Sequence, residues 1–129
     1  MRVDLQTTPE AAGFGRAVVT DVLLGAAMPD LVDTASLLVS ELVTNALRHG
    51  GGPRELLVAV DGRGVDVGVR DASPRPPHPV ALDGPGATRV DGGLSENGRG
   101  LLLVERLADS WGWRPEHGGK IVWFRLERR

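Results

Sequence analysis

The sequence predicts an α/β (α+β) two-layer sandwich, in which a mainly antiparallel mixed sheet carries its helices on one face. Two helical segments come first, and two hairpin signals follow with a further helix between them. The strand–helix–strand alternation of a doubly wound parallel sheet is missing. With 129 residues, of which 41% are hydrophobic, the chain is long and apolar enough to form one hydrophobic core. A single domain over residues 1–129 is therefore expected.

The N-terminal part is predicted to form a short edge strand over residues 1–7 and then a helix. Thr8, Pro9 and Glu10 resemble a helix start, because they supply a hydroxyl cap, a proline in the first turn and an acid near the positive end. The helix is expected to continue to about Ala27, before a Met-Pro pair interrupts it.

A second helix is predicted to open at Asp30 or Leu31 and to end at His49, before three glycines and Pro53. At about 100° per residue, one side of this helix is a continuous apolar arc. The arc consists of Leu31, Ala35, Leu38, Val39, Leu42, Val43, Ala46 and Leu47.

Two polar residues border this arc. Glu41 and Asn45 lie four residues apart, so their side chains are about 40° from each other on the helix wheel. This position would let them reach into a cleft beside the core, and His49 continues the same stripe one turn later. An ordinary helix flank, with a histidine favoured by the helix dipole, is the alternative. Taken alone, the pattern favours that alternative.

Two hairpins are predicted from short runs rich in β-branched and aromatic residues. The first joins Leu56–Val60 to Val65–Arg70 around an Asp-Gly-Arg-Gly turn. The second joins Trp111–Trp113 to Ile121–Leu126 across residues 116–120. Asp71 follows the first hairpin directly. Its carboxylate would accept a hydrogen bond from an exocyclic amine in a pocket, or it would serve as an ordinary turn aspartate.

Residues 72–98 are rich in proline, glycine and polar side chains and show no sustained periodicity. A loop of this length is either a functional lid or a disordered segment, and the composition alone does not separate the two. A helix is predicted from Leu101 to about Asp109. Gly98 and Gly100 precede it, where glycine would let backbone N–H groups approach an anion at the helix N-terminus.

The composition argues against several classes of function. A net charge of −2 gives no reason to expect a nucleic-acid or membrane partner. The absence of cysteine excludes disulfides, thiolate metal sites and cysteine nucleophiles. The three histidines lack metal-ligand spacing, so a zinc site is not expected. The first residues do not resemble a signal peptide, and a cytoplasmic protein is therefore expected.

Three segments together resemble the ATP-binding domain shared by gyrase, Hsp90, histidine kinases and MutL (the GHKL ATPases). Residues 41–50, ELVTNALRHG, are similar to the first ATP-site box of that family, and residues 98–101, GRGL, to its phosphate-binding box. Residues 118–120, GGK, are similar to its closing segment. The resemblance covers nearly the whole chain and is nearest to the stand-alone branch, the bacterial anti-sigma-factor serine/threonine kinases.

This resemblance implies roles for individual residues. Asn45 would coordinate Mg²⁺ between the ATP phosphates, and Glu41 would be the catalytic base that takes or positions the proton of the attacking hydroxyl. Asp71 would bind the adenine amino group, while Gly98 and Gly100 would hold phosphates below a lid formed by the preceding loop. The further implied ATP contacts are His49, Ser73, Arg99 and Leu101. The cofactors implied are ATP and Mg²⁺.

The function implied is a Mg-ATP-binding protein serine/threonine kinase of the anti-sigma-factor type. It would phosphorylate an anti-anti-sigma-like partner and regulate a sigma factor by partner switching, with homodimerisation through a sheet edge or helix face as a further option. The alternatives are an ATP-binding regulatory module without phosphotransfer, a histidine-kinase fragment and an unrelated structural domain. Two departures from the family favour the first alternative: residues 72–77 lack the usual glycines, and Ile121 stands where a threonine often contacts adenine.

Overall fold

The computed structural model describes residues 1–77 and 96–129, and for residues 96–100 it describes the backbone only. Three helices of more than one turn and five strands lie in these ranges. In chain order they are β1 (Arg2–Asp4), α1 (Ala11–Gly25), α2 (Val32–His49), β2 (Pro53–Val60), β3 (Gly64–Asp71), α3 (Glu96–Leu107), β4 (Ser110–Glu116) and β5 (Gly119–Glu127). A single 3₁₀ turn, Pro29–Leu31, connects α1 to α2.

The five strands form one sheet in the order β1-β2-β3-β5-β4, and every neighbouring pair is antiparallel. Helix α2 contacts β2, β3 and β5, and α1 contacts β2, while α3 packs against α2. The α+β fold with an antiparallel sheet is therefore confirmed. No helix in the described ranges is long and apolar enough to cross a membrane.

The strands in the middle of the sheet bury one face under the helices. Val67 of β3 lies opposite Phe124 of β5, and Val69 lies opposite Val122, and all four belong to the hydrophobic core. The alternate residues point to the other face, where Gly68 lies opposite Trp123. This alternation decides which residues near the strand ends lie on the helix side of the sheet.

Two helix starts differ from the prediction. Helix α1 begins at Ala11, and the Thr8 hydroxyl does not cap it; only the carbonyl of Thr8 accepts the Ala11 N–H, at 3.0 Å. Helix α3 begins at Glu96 and not at Leu101. The glycine-rich residues 98–100 therefore lie within the first turns of the helix, although glycine is a weak helix former and gave no helical signal.

The C-terminal hairpin is longer than predicted, with β4 running to Glu116 and β5 starting at Gly119. His117 and Gly118 connect them with φ angles of 50° and 80°, as the two central residues of a type I′ turn require. Pro115 hid the strand from sequence analysis, but β4 is an edge strand and can tolerate a residue that donates no ladder hydrogen bond. This turn sets the register of β5 against β4.

Candidate functional site

Asn45 is a polar residue within the apolar core. Its side chain lies on α2 among buried leucine, valine and alanine residues, and the residue is only 4% exposed. Its Oδ1 atom is buried and accepts no hydrogen bond from the described part of the chain. Burying an amide oxygen without a partner costs about 1–3 kcal/mol, so such groups are rare unless a ligand completes them.

Glu41 lies one helical turn before Asn45 on α2 and is half-buried. Four residues correspond to about 6 Å along the axis, and side chains with this spacing share a helix face. Burial raises the pKa of the Glu41 carboxyl, and the positive charge of Arg48 opposes that rise. A partly desolvated carboxylate with a raised pKa is a stronger proton acceptor than a surface glutamate, as a general base requires.

Asp71 is the last residue of β3 and is 1% exposed. Its Oδ1 accepts the backbone N–H of Ser73 at 2.9 Å, and its Oδ2 lies 2.9 Å from the Nζ atom of Lys120. Burial raises the pKa of Asp71, while the bond from Lys120 is the largest opposing effect. Asp71 is thus the turn aspartate of the simpler interpretation, and it also holds a buried ion pair that a turn does not need.

The end of α2 lies directly against Asp71. The carbonyl of Gly50 accepts the N–H of Ala72 at 2.9 Å, and a Cβ atom added at Gly50 would overlap the Asp71 carboxylate. From Gly50, Asn45 is about 7.5 Å back along the helix axis and Glu41 is about 13.5 Å back, at 1.5 Å per residue. Asp71 therefore lies beside the C-terminal end of α2, the helix that also carries Asn45 and Glu41.

Lys120 is the residue of this region that sequence analysis missed. It is the direct cross-strand partner of Asp71 and is 1% exposed. Lysine is almost never fully buried unless it is paired. Once the register of β5 against β3 is known, the only lysine of the chain can be identified as the partner of Asp71. Ile121, which stands where a threonine often contacts adenine in the family, points to the other side of the sheet near Gly68. The strand alternation gives the position facing Asp71 to Lys120.

The remaining predicted residues, Ser73, His49 and Leu101, differ in their burial and contacts. Ser73 is half-buried; its Oγ accepts the N–H of Arg75 at 3.2 Å, and its carbonyl accepts a longer bond of 3.4 Å from Lys120. His49 is exposed at the end of α2. The side chain of Leu101 is buried in the core.

The residues predicted to bind phosphate, Gly98, Arg99 and Gly100, have their backbone in the first turns of α3, which packs against α2. Of the predicted lid, residues 78–95 lie outside the described residues. Helix α3 starts at Glu96, so the last residues of the predicted loop belong to the helix. The ATP contacts assigned to this segment stay predictions.

The donor set at the site suits Mg²⁺ better than a transition metal. Within residues 1–77 and 96–129, no group of three or more His, Cys, Asp or Glu side chains could hold a metal ion. Asn45 Oδ1 is a hard, neutral oxygen that accepts no hydrogen bond from the described residues. Mg²⁺ often takes only one or two protein oxygens and completes its shell with phosphate and water, so a single free amide oxygen fits it.

Comparison with protein families gives one match of nearly full length. Residues 5–126 match the family model described as the histidine kinase-like ATPase domain. A search of curated proteins found no match.

Proposed function

The chain belongs to the histidine kinase-like ATPase domain family, and from this premise we propose that it is a Mg-ATP-dependent protein serine/threonine kinase of the anti-sigma-factor type. One observation carries the proposal. The buried Asn45 Oδ1 has no hydrogen-bond partner among the described residues, and the half-buried Glu41 lies one turn away on the same helix. A metal-ligand oxygen next to a carboxylate base is the pair that phosphoryl transfer needs.

Each of the predicted site residues has its own part in binding. Asp71 accepts a hydrogen bond from the amino group of the adenine, and Asn45 provides the protein oxygen for Mg²⁺. The backbone of Gly98 and Gly100 binds phosphates at the positive end of α3. Bound Mg²⁺ would neutralise phosphate charge that otherwise repels the attacking oxygen. The base is proposed to lie at Asp71 and the terminal phosphate towards Glu41, since Asn45 comes between them along the axis of α2.

Glu41 is proposed to act on the hydroxyl of the protein substrate. The serine or threonine oxygen forms a bond to the γ-phosphorus, the bond from that phosphorus to the β-phosphate oxygen breaks, and ADP leaves. The hydroxyl proton goes to the Glu41 carboxylate, whose raised pKa makes it the stronger acceptor. Positioned bases of this kind contribute about 10²–10⁴-fold to rate.

The partner is proposed from the resemblance of residues 41–50 and 98–101 to the stand-alone anti-sigma-factor kinases. The substrate would be an anti-anti-sigma-like protein. Its phosphorylation would release the kinase to hold a sigma factor, which is regulation by partner switching.

The proposal is tested by incubating the protein with γ-labelled ATP, Mg²⁺ and candidate anti-anti-sigma-type proteins. Wild type is expected to label a serine or threonine of one partner. Glu41→Gln should bind ATP like wild type but transfer about 10²–10⁴-fold more slowly. If wild type binds Mg-ATP and labels none of these partners, or if Glu41→Gln labels as fast as wild type, the kinase assignment is wrong.

A regulatory module that binds ATP without transferring phosphate is the second candidate. It is favoured by the segment after Asp71, which contains prolines in place of the family's glycines and carries the ion pair to Lys120. For this function, ATP would change partner binding in wild type and Glu41→Gln equally. The labelling experiment therefore separates the two candidates.

A further inference from the structure

Among the residues that the structure describes, Lys120 is a buried cation whose role the proposed function leaves open. Its Nζ atom lies 2.9 Å from Asp71 Oδ2 and 3.4 Å from the carbonyl oxygen of Ser73. A lysine ammonium has three N–H donors and no acceptor. The described residues therefore offer two acceptors for three donors, and the second of these lies near the limit of a hydrogen bond.

A lysine that only neutralised Asp71 would not have to be this deeply enclosed. Exposed lysines neutralise carboxylates without losing their hydration, whereas Lys120 has a side chain that is 2% exposed. An unsatisfied N–H on a buried ammonium is costly, because the charge has lost its water. An acceptor brought by a ligand would remove that cost.

The position of Nζ indicates which ligand atom this is. An amino group that donates a hydrogen bond to Asp71 lies next to the Asp71 carboxylate. The Oδ2 atom of the same carboxylate is 2.9 Å from Lys120 Nζ. In adenine, N1 is bonded to the carbon that carries the amino group and N7 is one ring atom further away on the other side, and both are acceptors at neutral pH. The Lys120 N–H donor beside Asp71 is thus complementary to a ring-nitrogen acceptor beside the adenine amino group.

We propose that Lys120 is a second base-reading residue, which donates an N–H to a ring nitrogen of the adenine whose amino group Asp71 accepts. The inference rests on the proposed ATP binding and extends it. Asp71 and Lys120 together present one acceptor and one donor, so they would select a base with a donor and an acceptor side by side. A threonine hydroxyl at this place could both donate and accept, whereas lysine only donates.

The experiment uses Lys120 as its own probe, because it is the only lysine in the chain. Protein labelled with ¹⁵N- and ¹³C-lysine gives a single lysine side-chain signal. We expect this signal to shift on addition of ATP and to stay in place on addition of inorganic tripolyphosphate. 1-Deaza-ATP and 7-deaza-ATP each lack one ring nitrogen, and one of them should bind at least about 10-fold more weakly than ATP, which corresponds to about 1.4 kcal/mol.

Two variants separate base reading from structural support. In Lys120→Met, ATP and the two deaza analogues should bind with equal affinity. Arg70→Met is the matched control, since Arg70 is the neighbour of Asp71 in the chain but pairs with Glu55 at 3.0 Å on the other sheet face. It should keep the analogue preference of wild type. Should Lys120→Met fail to fold, the signal and the analogue series in wild type decide the question.

The outcomes distinguish this inference from the proposed function. If ATP binds to wild type and Asp71→Asn weakens it, but the lysine signal does not respond and both analogues bind like ATP, Lys120 only neutralises Asp71 and the inference is wrong. If calorimetry detects no ATP binding to wild type at all, both the inference and the proposed function fail.

Discussion

The two ends of the site differ in how completely their polar groups are bonded. At the end of β3, both oxygens of Asp71 have partners, one from the Ser73 N–H and one from Lys120. On α2, the buried Oδ1 of Asn45 has none among the described residues. The proposed base end is therefore ordered by the protein itself, whereas the proposed metal end is complete only with a ligand.

This difference follows from the elements that carry the residues. Asp71 ends a strand, and the neighbouring strand β5 supplies Lys120 directly across the ladder. Asn45 lies inside a helix, whose backbone groups already bond to one another, and its neighbours in the core are apolar. None of the described residues in these surroundings donates to the amide oxygen.

The largest expected effect comes from removing one member of the ion pair. Lys120→Met leaves the Asp71 carboxylate buried without a counter-charge, and breaking a buried pair this way costs about 3–5 kcal/mol. Urea unfolding would measure the loss. The double variant Asp71→Asn/Lys120→Met should recover most of it, and Arg70→Met should change stability by no more than about 1 kcal/mol. Equal losses in Lys120→Met and Arg70→Met would contradict the special status of the buried pair.

Asn45→Ala should weaken the Mg²⁺ dependence of nucleotide binding and leave the stability of the free protein nearly unchanged. It removes a polar group that no described residue bonds, so the free energy of unfolding without nucleotide should stay within about 1 kcal/mol of wild type. Mg²⁺ should no longer strengthen nucleotide binding in this variant. A loss of about 3 kcal/mol in the absence of ligand would mean that Asn45 supports the fold, and the contrast between the two ends would disappear.

Gly50→Ala should disturb the contact that joins the two ends. The added methyl group would overlap the Asp71 carboxylate, and overpacking of this kind costs about 1–3 kcal/mol. Gly62→Ala is the matched control, because a Cβ added there meets no atom within 4 Å. Thermal unfolding of the two variants compares them. If Gly50→Ala were as stable as Gly62→Ala, α2 would not press on Asp71 as described.

The smallest effect is expected from Glu41 and depends on pH. Its pKa is raised in the folded chain, so the folded state holds its proton more tightly than the unfolded state does. This contribution to stability is present at acidic pH and is lost as the pH rises from the ordinary glutamate value through the raised one. Thermal melts between pH 4 and 8, at about 0.5-unit steps, should show Glu41→Gln gaining stability relative to wild type across that interval. A constant difference at all pH values would contradict the raised pKa.

Sequence analysis could predict the features that depend on local pattern. The periodicity of α2 placed Asn45 and Glu41 at the border of the buried face, and the end of a β-rich run placed Asp71 at a strand terminus. Sequence analysis could not identify Lys120 as the partner of Asp71, because that pairing depends on the register between β3 and β5. The start of α3 at Glu96 was missed for a different reason: its first turns contain two glycines, whose propensity opposes the helix.

The most direct test is calorimetric titration of wild type and Asn45→Ala with ATP, each with Mg²⁺ and with excess EDTA. We expect saturable binding of one nucleotide per chain to wild type, weakened when Mg²⁺ is removed, and binding to Asn45→Ala that is equally weak in both conditions. Wild type that binds no ATP, or that binds it with the same affinity in Mg²⁺ and in EDTA, would contradict the assignment of Asn45 as the metal ligand of an ATP site.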